Sequence, residues 1–87
     1  MAKNIIVPET VLKIINDLPR EIRIKFWEKL EMLLKNPAHP GLRNEKLRGT
    51  KEDWAFSITM NYRATYFIDG NNIVITMLGT HKDVLGV

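Results

Sequence analysis

Cysteine is absent from this chain of 87 residues, which excludes a disulfide framework and a thiolate nucleophile. No stretch approaches the roughly 20 apolar residues of a membrane-spanning helix. The early apolar run, Ile5-Ile6-Val7, is too short for the core of a secretion signal. The chain therefore reads as soluble, unexported and cytoplasmic. Neither G-x-x-x-x-G-K-[ST] nor G-x-G-x-x-G occurs, so no phosphate loop of those types is present. The two histidines, His39 and His81, have no metal-ligand spacing, and neither a metal nor any other cofactor is expected. Repeats, linkers and low-complexity runs are also lacking, so residues 1–87 read as a single domain. A core of this size buries only about 60–65% of the unfolded chain's surface. Stability should be modest, and a partner covering apolar surface would add to it.

Charge is present in slight excess of one sign. Thirteen Lys and Arg against ten Asp and Glu give a formal charge of +3 and a pI near 9.4. The excess gathers in the middle, where Lys35, Arg43, Lys46, Arg48, Lys51 and Arg63 outnumber Glu45, Glu52 and Asp53. That distribution suits a phosphate-bearing partner. An ordinary solvated surface accounts for it equally well on composition alone.

Periodicity divides the chain into helices and then strands. Lys3 to Val7 reads as a short first strand. Pro8-Glu9-Thr10 opens a helix carrying Val11, Leu12, Ile14, Ile15 and Leu18 at helical spacing. Asp17 as cap and Pro19 as first helical residue would start a second helix, the longest element. Its stripe of Ile22, Phe26, Leu30 and Leu33, with Trp27 and Leu34 beside it, runs to Lys35 before Asn36-Pro37. Residues 37–44 are a loop by their proline and glycine, and Glu45 to Arg48 a short edge strand closed by Gly49. From Trp54 the period becomes two, with Phe56, Ile58 and Met60 on one side and Ala55, Ser57 and Thr59 on the other. Tyr62 to Ile68 and Ile73 to Leu78 follow as strands around the turn Asp69-Gly70-Asn71-Asn72. The expected fold is α+β, with two N-terminal helices packed on a mainly antiparallel sheet of about four strands.

Four places could carry chemistry. Arg63 is a lone arginine in the apolar and aromatic run Tyr62-Arg63-Ala64-Thr65-Tyr66-Phe67, where a guanidinium without an anion would be costly. It pairs with an internal carboxylate or points to an uncovered sheet face to receive an external anion. Hairpin register decides which face, and register is not legible here. His81 follows the last core strand in Leu78-Gly79-Thr80-His81-Lys82-Asp83, at a strand end of the kind that presents reactive groups. An imidazole titrating near neutrality can move a proton in phosphodiester cleavage, though a lone histidine is more often an ordinary surface residue. Lys46 and Arg48 alternate around Leu47, which on a strand puts both cations on one face and the leucine toward the core. They serve either a nucleic-acid backbone or a charged edge that resists aggregation. His39, between prolines in the loop, has no reactive neighbour in sequence.

Taken in order, these features resemble the RelE/ParE toxin superfamily. The shared pattern is two N-terminal helices, Leu47-Arg48-Gly49, Trp54, Tyr62-Arg63-Ala64-Thr65-Tyr66 and Gly79-Thr80-His81-Lys82-Asp83. It spans nearly the whole chain and fits the histidine-bearing, YafQ/RelE-like branch. The resemblance implies the toxin of a type II toxin–antitoxin pair, a metal-independent endoribonuclease that cuts messenger RNA on the ribosome and is neutralised by a cognate antitoxin protein. It implies that Arg63 contacts the scissile phosphate and that His81 protonates the departing 5′ oxygen. Lys46, Arg48, Lys51 and Lys82 are the expected RNA-binding residues, and Asp83 or a lysine the expected general base. Two departures stand out. Leu85 occupies the place of an aromatic residue, and the further histidine and aspartate of the similar toxins are missing. Two rivals share the fold: a ParE-like DNA gyrase inhibitor that cuts no RNA, and a catalytically inactive module that only binds the antitoxin.

Overall fold

The computed structural model describes residues 4–47 and 53–80. In chain order these form β1 (Asn4–Ile6), α1 (Glu9–Asn16), α2 (Arg20–Lys35), a 3-10 turn at Pro40–Leu42, β2 (Glu45–Lys46), β3 (Asp53–Ser57), β4 (Tyr62–Asp69) and β5 (Asn72–Thr80). The strands make one sheet in the order β1-β5-β4-β3-β2. Its count is five rather than about four, and β1 runs parallel to β5 while every other pair is antiparallel. The α+β arrangement stands. No helix among the described residues is long and apolar enough to cross a membrane.

Prolines punctuate the two helices as their missing N–H groups require. The Pro8 carbonyl accepts from Leu12 N–H at 2.9 Å, and the Pro19 carbonyl accepts from Ile22 and Arg23 at 3.0 and 3.1 Å. Pro19 is thus the residue before α2 rather than its first member. Asp17, expected to cap α2, instead closes α1, its N–H donating to the carbonyls of Lys13 and Ile14. The inward stripes of Val11, Ile15, Phe26, Leu30 and Leu33 meet Phe56, Ile58, Ala64, Tyr66, Ile73, Ile75 and Leu78 on one face of the sheet. Phe26 and Phe56 are fully buried and their rings stack with centroids 6.5 Å apart. Each such side chain contributes about 1.5–3 kcal/mol by leaving water. Trp27, placed beside the stripe by spacing, stays nearly half exposed on the rim of that layer.

Strand alternation is broken in two places, and both breaks bear on the site. The period-two pattern that runs through Met60 in the sequence ends in the fold at Ser57. Ser57 Oγ donates to the Thr59 carbonyl at 2.8 Å, and Thr59 Oγ1 accepts from the N–H groups of Asn61 and Tyr62. These short side chains offer the backbone a turn in place of a ladder, and Met60 is left 88% exposed. The second break is a bulge in β5. Tyr66 pairs with Ile75 but Thr65 with Met77, so Thr76 is the extra residue. The phase shift turns Leu78 into the core and Met77 outward, the reverse of simple alternation from Ile73 and Ile75.

At the β4–β5 turn Gly70 has φ +60° and nothing within 4 Å of a Cβ position. Gly70→Ala therefore meets conformational cost without a clash, and should lower stability by about 1 kcal/mol in a urea titration.

Tyr66 is 2% exposed, and its phenol donates to Asn44 Oδ1 at 2.7 Å. Burial raises its pKa above the ordinary value of 10.0, because the charged phenolate would be held away from water. Above pH 10.0 the unfolded chain releases the phenolic proton first. The stabilisation is fully present below that pH and is lost as pH climbs toward the raised folded value. Thermal melts should show this alkaline decline, and Tyr66→Phe should remove the Tyr66 share of it.

Candidate functional site

Arg63 sits on β4 between Tyr62 and Ala64, which belong to the helix-covered side. Alternation sends its side chain to the opposite face, in register with Ser57 on β3 and Gly79 on β5. Had β5 carried no bulge, Leu78 and not Gly79 would stand beside Arg63. The guanidinium therefore has, on that flank, a residue with no side chain.

On the other flank the neighbours are small. Ala55 and Ser57 allow the arginine to extend over β3 toward the edge strand, where Glu45 faces Ala55. Arg63 Nη2 donates to Glu45 Oε1 at 3.0 Å and, at 3.4 Å, to the Arg43 carbonyl. The arginine side chain is 12% exposed and the glutamate side chain 55%. Arg63 Nε is buried and has no hydrogen-bond partner among the described residues. Both alternatives posed by the sequence are thus partly met. The arginine has a carboxylate, but that carboxylate is open to solvent. Because its carboxylate is open to solvent, the pair is screened and adds little to stability, and its value lies in holding a cation in place.

Glu45 is the residue that sequence reasoning missed, having counted it only as a counter-charge. The signal was available. A guanidinium in an apolar strand demands an anion, and the central segment offers only Glu45, Glu52 and Asp53.

Lys46 departs from expectation. It pairs with Trp54, whose face is the helix side, and its Nζ lies 5.9 Å from the Trp54 ring centroid. The register therefore places Glu45, not Lys46, on the face of Arg63, and the expected leucine-in, lysine-out arrangement is reversed at Lys46. β2 ends at Lys46, short of the expected Arg48. His39 serves its own loop, where its Nδ1 accepts the Gly41 N–H at 2.9 Å and caps the 3-10 turn. That loop is further held by Lys29 Nζ donating to the Gly41 carbonyl at 2.8 Å. A cavity of about 380 Å³ lies beside it, among Glu28, Glu31, Met32, Lys35, Asn36 and His39, and shares no residue with the Arg63 site. Arg48, Lys51, His81, Lys82, Asp83 and Leu85 lie outside the described residues.

No family model matches the sequence, and no curated protein matches it. Solved structures do. The chain is similar to an archaeal RelE from a RelE–RelB complex of Pyrococcus horikoshii OT3, at TM-score 0.76 and 22% identity over 92% of this chain and 96% of that one. It is similar to YoeB from a dimer of Staphylococcus aureus, at TM-score 0.76 and 22% identity, covering 93% and 99%. A YoeB/ParE toxin from Agrobacterium tumefaciens aligns at TM-score 0.77 and 14% identity, covering 91% and 99%. Helices on one face, Arg63 on the other and a short edge strand beneath it are thus arranged on the fold shared by RelE-, YoeB- and ParE-type toxins.

Proposed function

We propose that this protein is the toxin of a toxin–antitoxin pair and cleaves messenger RNA by transesterification at Arg63. The observation that carries the reading is the Arg63 guanidinium, held on the face away from the helices by a solvent-open carboxylate. A phosphodiester arriving at that face meets a cation already held in place, with a carboxylate beside it.

The reaction balances within the side chains at hand. The RNA 2′ oxygen attacks the adjacent phosphorus while its proton passes to a base. The P–O5′ bond breaks, leaving a 2′,3′-cyclic phosphate and a 5′ hydroxyl whose proton comes from an acid. Arg63 stabilises the extra negative charge on the phosphoryl oxygens. Glu45 is assigned as the base, because phosphate taken up by the guanidinium loosens the ion pair and leaves a carboxylate beside the reacting centre. Asp83, the base suggested by the sequence, is the alternative. His81 is assigned as the acid. Gly79 pairs directly with Arg63, and His81 follows it two residues later in the sequence. Lys46, Arg48, Lys51 and Lys82 would bind the RNA backbone, with Lys46 reaching it around the sheet edge.

The partners in this reading are messenger RNA on the ribosome and a cognate antitoxin in the cytoplasm; the antitoxin alone is supported by a structural neighbour, the RelB–RelE antitoxin–toxin complex of Methanococcus jannaschii. The neighbour described as a YoeB/ParE toxin keeps a second reading in play, inhibition of DNA gyrase.

Purified protein mixed with translating ribosomes should cut messenger RNA. Arg63→Ala should lower the rate about 10²–10³-fold, as loss of one transition-state donor does, while stability falls by only about 1 kcal/mol because its partner is exposed. Glu45→Gln and His81→Gln should each lower it about 10²–10⁴-fold. Intact message with blocked supercoiling would instead establish the gyrase reading. A growth-neutral wild type at verified expression would leave only antitoxin binding.

A further inference from the structure

The second tyrosine of Tyr62-Arg63-Ala64-Thr65-Tyr66 has no place in the chemistry above, yet its hydroxyl is the polar atom that the core works to accommodate. Packing alone would be served by phenylalanine, since the ring already meets Phe56 at 5.9 Å. A phenol this deeply buried is costly unless bonded. Its partner, Asn44, is one residue from both groups that hold Arg63.

Residues 43–45 grip β4 from two sides. The Arg43 carbonyl accepts from Arg63 Nη2 at 3.4 Å, Asn44 Oδ1 accepts from Tyr66 at 2.7 Å, and Glu45 Oε1 accepts from Arg63 Nη2 at 3.0 Å. Arg63 and Tyr66 project from opposite faces, so the segment wraps the sheet edge with its middle residue tied to the core and its outer two tied to the guanidinium. Asn44 Nδ2 also donates to the Pro37 carbonyl at 3.4 Å, joining the segment to the end of α2. The backbone bends to do this. Arg43 has φ +48°, and among the described residues no other non-glycine residue has positive φ. Arg43 closes the Pro40–Leu42 turn, in a conformation that is costly away from glycine and persists only where surrounding contacts impose it.

We propose that Tyr66, acting through Asn44, is a positioning residue for the Arg63–Glu45 pair. It holds Arg43 in the left-handed conformation that aims one carbonyl and one carboxylate at the same guanidinium nitrogen. The role in cleavage rests on the RNA-cutting reading, whereas the restraint on Arg63 does not.

Tyr66→Phe removes one oxygen and leaves the core volume intact, and Asn44→Ala removes the other partner from a less buried place. Two readouts are paired. Rotation of the Arg63 guanidinium, followed by nitrogen-15 NMR, should quicken about fivefold in both variants, the factor that one lost hydrogen bond of about 1 kcal/mol represents. Cleavage should lose about the same factor in kcat with KM unchanged. In a Glu45→Gln background, adding Tyr66→Phe should cost less than it does in the wild type, because only the Arg43 carbonyl is left for it to position. Unchanged rotation in both variants overturns the proposal even if the wild type cuts RNA. Losses that multiply in the double variant also overturn it, since a general weakening of the fold behaves that way. If the wild type cuts no RNA the functional reading fails, and the rotation rates alone decide whether Tyr66 restrains Arg63.

Discussion

A guanidinium placed in the middle of a small apolar strand must find an anion, and the rest of the site is arranged around that demand. Arg63 meets it by reaching across β3, over Ala55 and Ser57, to a carboxylate on the edge strand. The bridge spans two strand spacings of about 4.8 Å each, which two long side chains can cover only if nothing bulky lies between. Small residues on the outward face of β3 are therefore as much a part of the site as the charges. Their neighbours on the inward face, Trp54, Phe56 and Ile58, are large because they pack against helices.

The same strand serves both layers. Tyr66 binds the core and Arg63 the site, three residues apart on opposite faces, and residues 43–45 connect them around the edge of the sheet. This makes the edge strand more than a protective border. Its two residues divide the work, Glu45 holding Arg63 and Lys46 lying over the Trp54 ring on the other side. Two charged residues at a short edge also discourage pairing with a further strand, so protection and positioning coexist there.

Fold similarity at 14–22% identity carries architecture and not chemistry. The functional reading therefore depends on particular atoms: a cation already fixed, a carboxylate within hydrogen-bonding distance of it, and a glycine opposite. The gyrase reading needs the same scaffold but places no demand on that pair.

Periodicity in the sequence determined the two helices, the inward stripes, the β3–β5 meander and the requirement that Arg63 meet an anion, because these follow from local spacing and from the cost of burying charge. The strand count, the parallel pairing of β1 and the face occupied by Arg63 came from tertiary structure. So did the choice of Glu45 over Lys46 as its neighbour. Each depends on which residues stand opposite one another across strands, and one extra residue such as Thr76 shifts every pairing beyond it. Met60 shows the same limit at short range, since hydroxyls of Ser57 and Thr59 turned an alternating run into a loop. A chain encodes what each residue prefers to face, and only the assembled sheet settles what it faces.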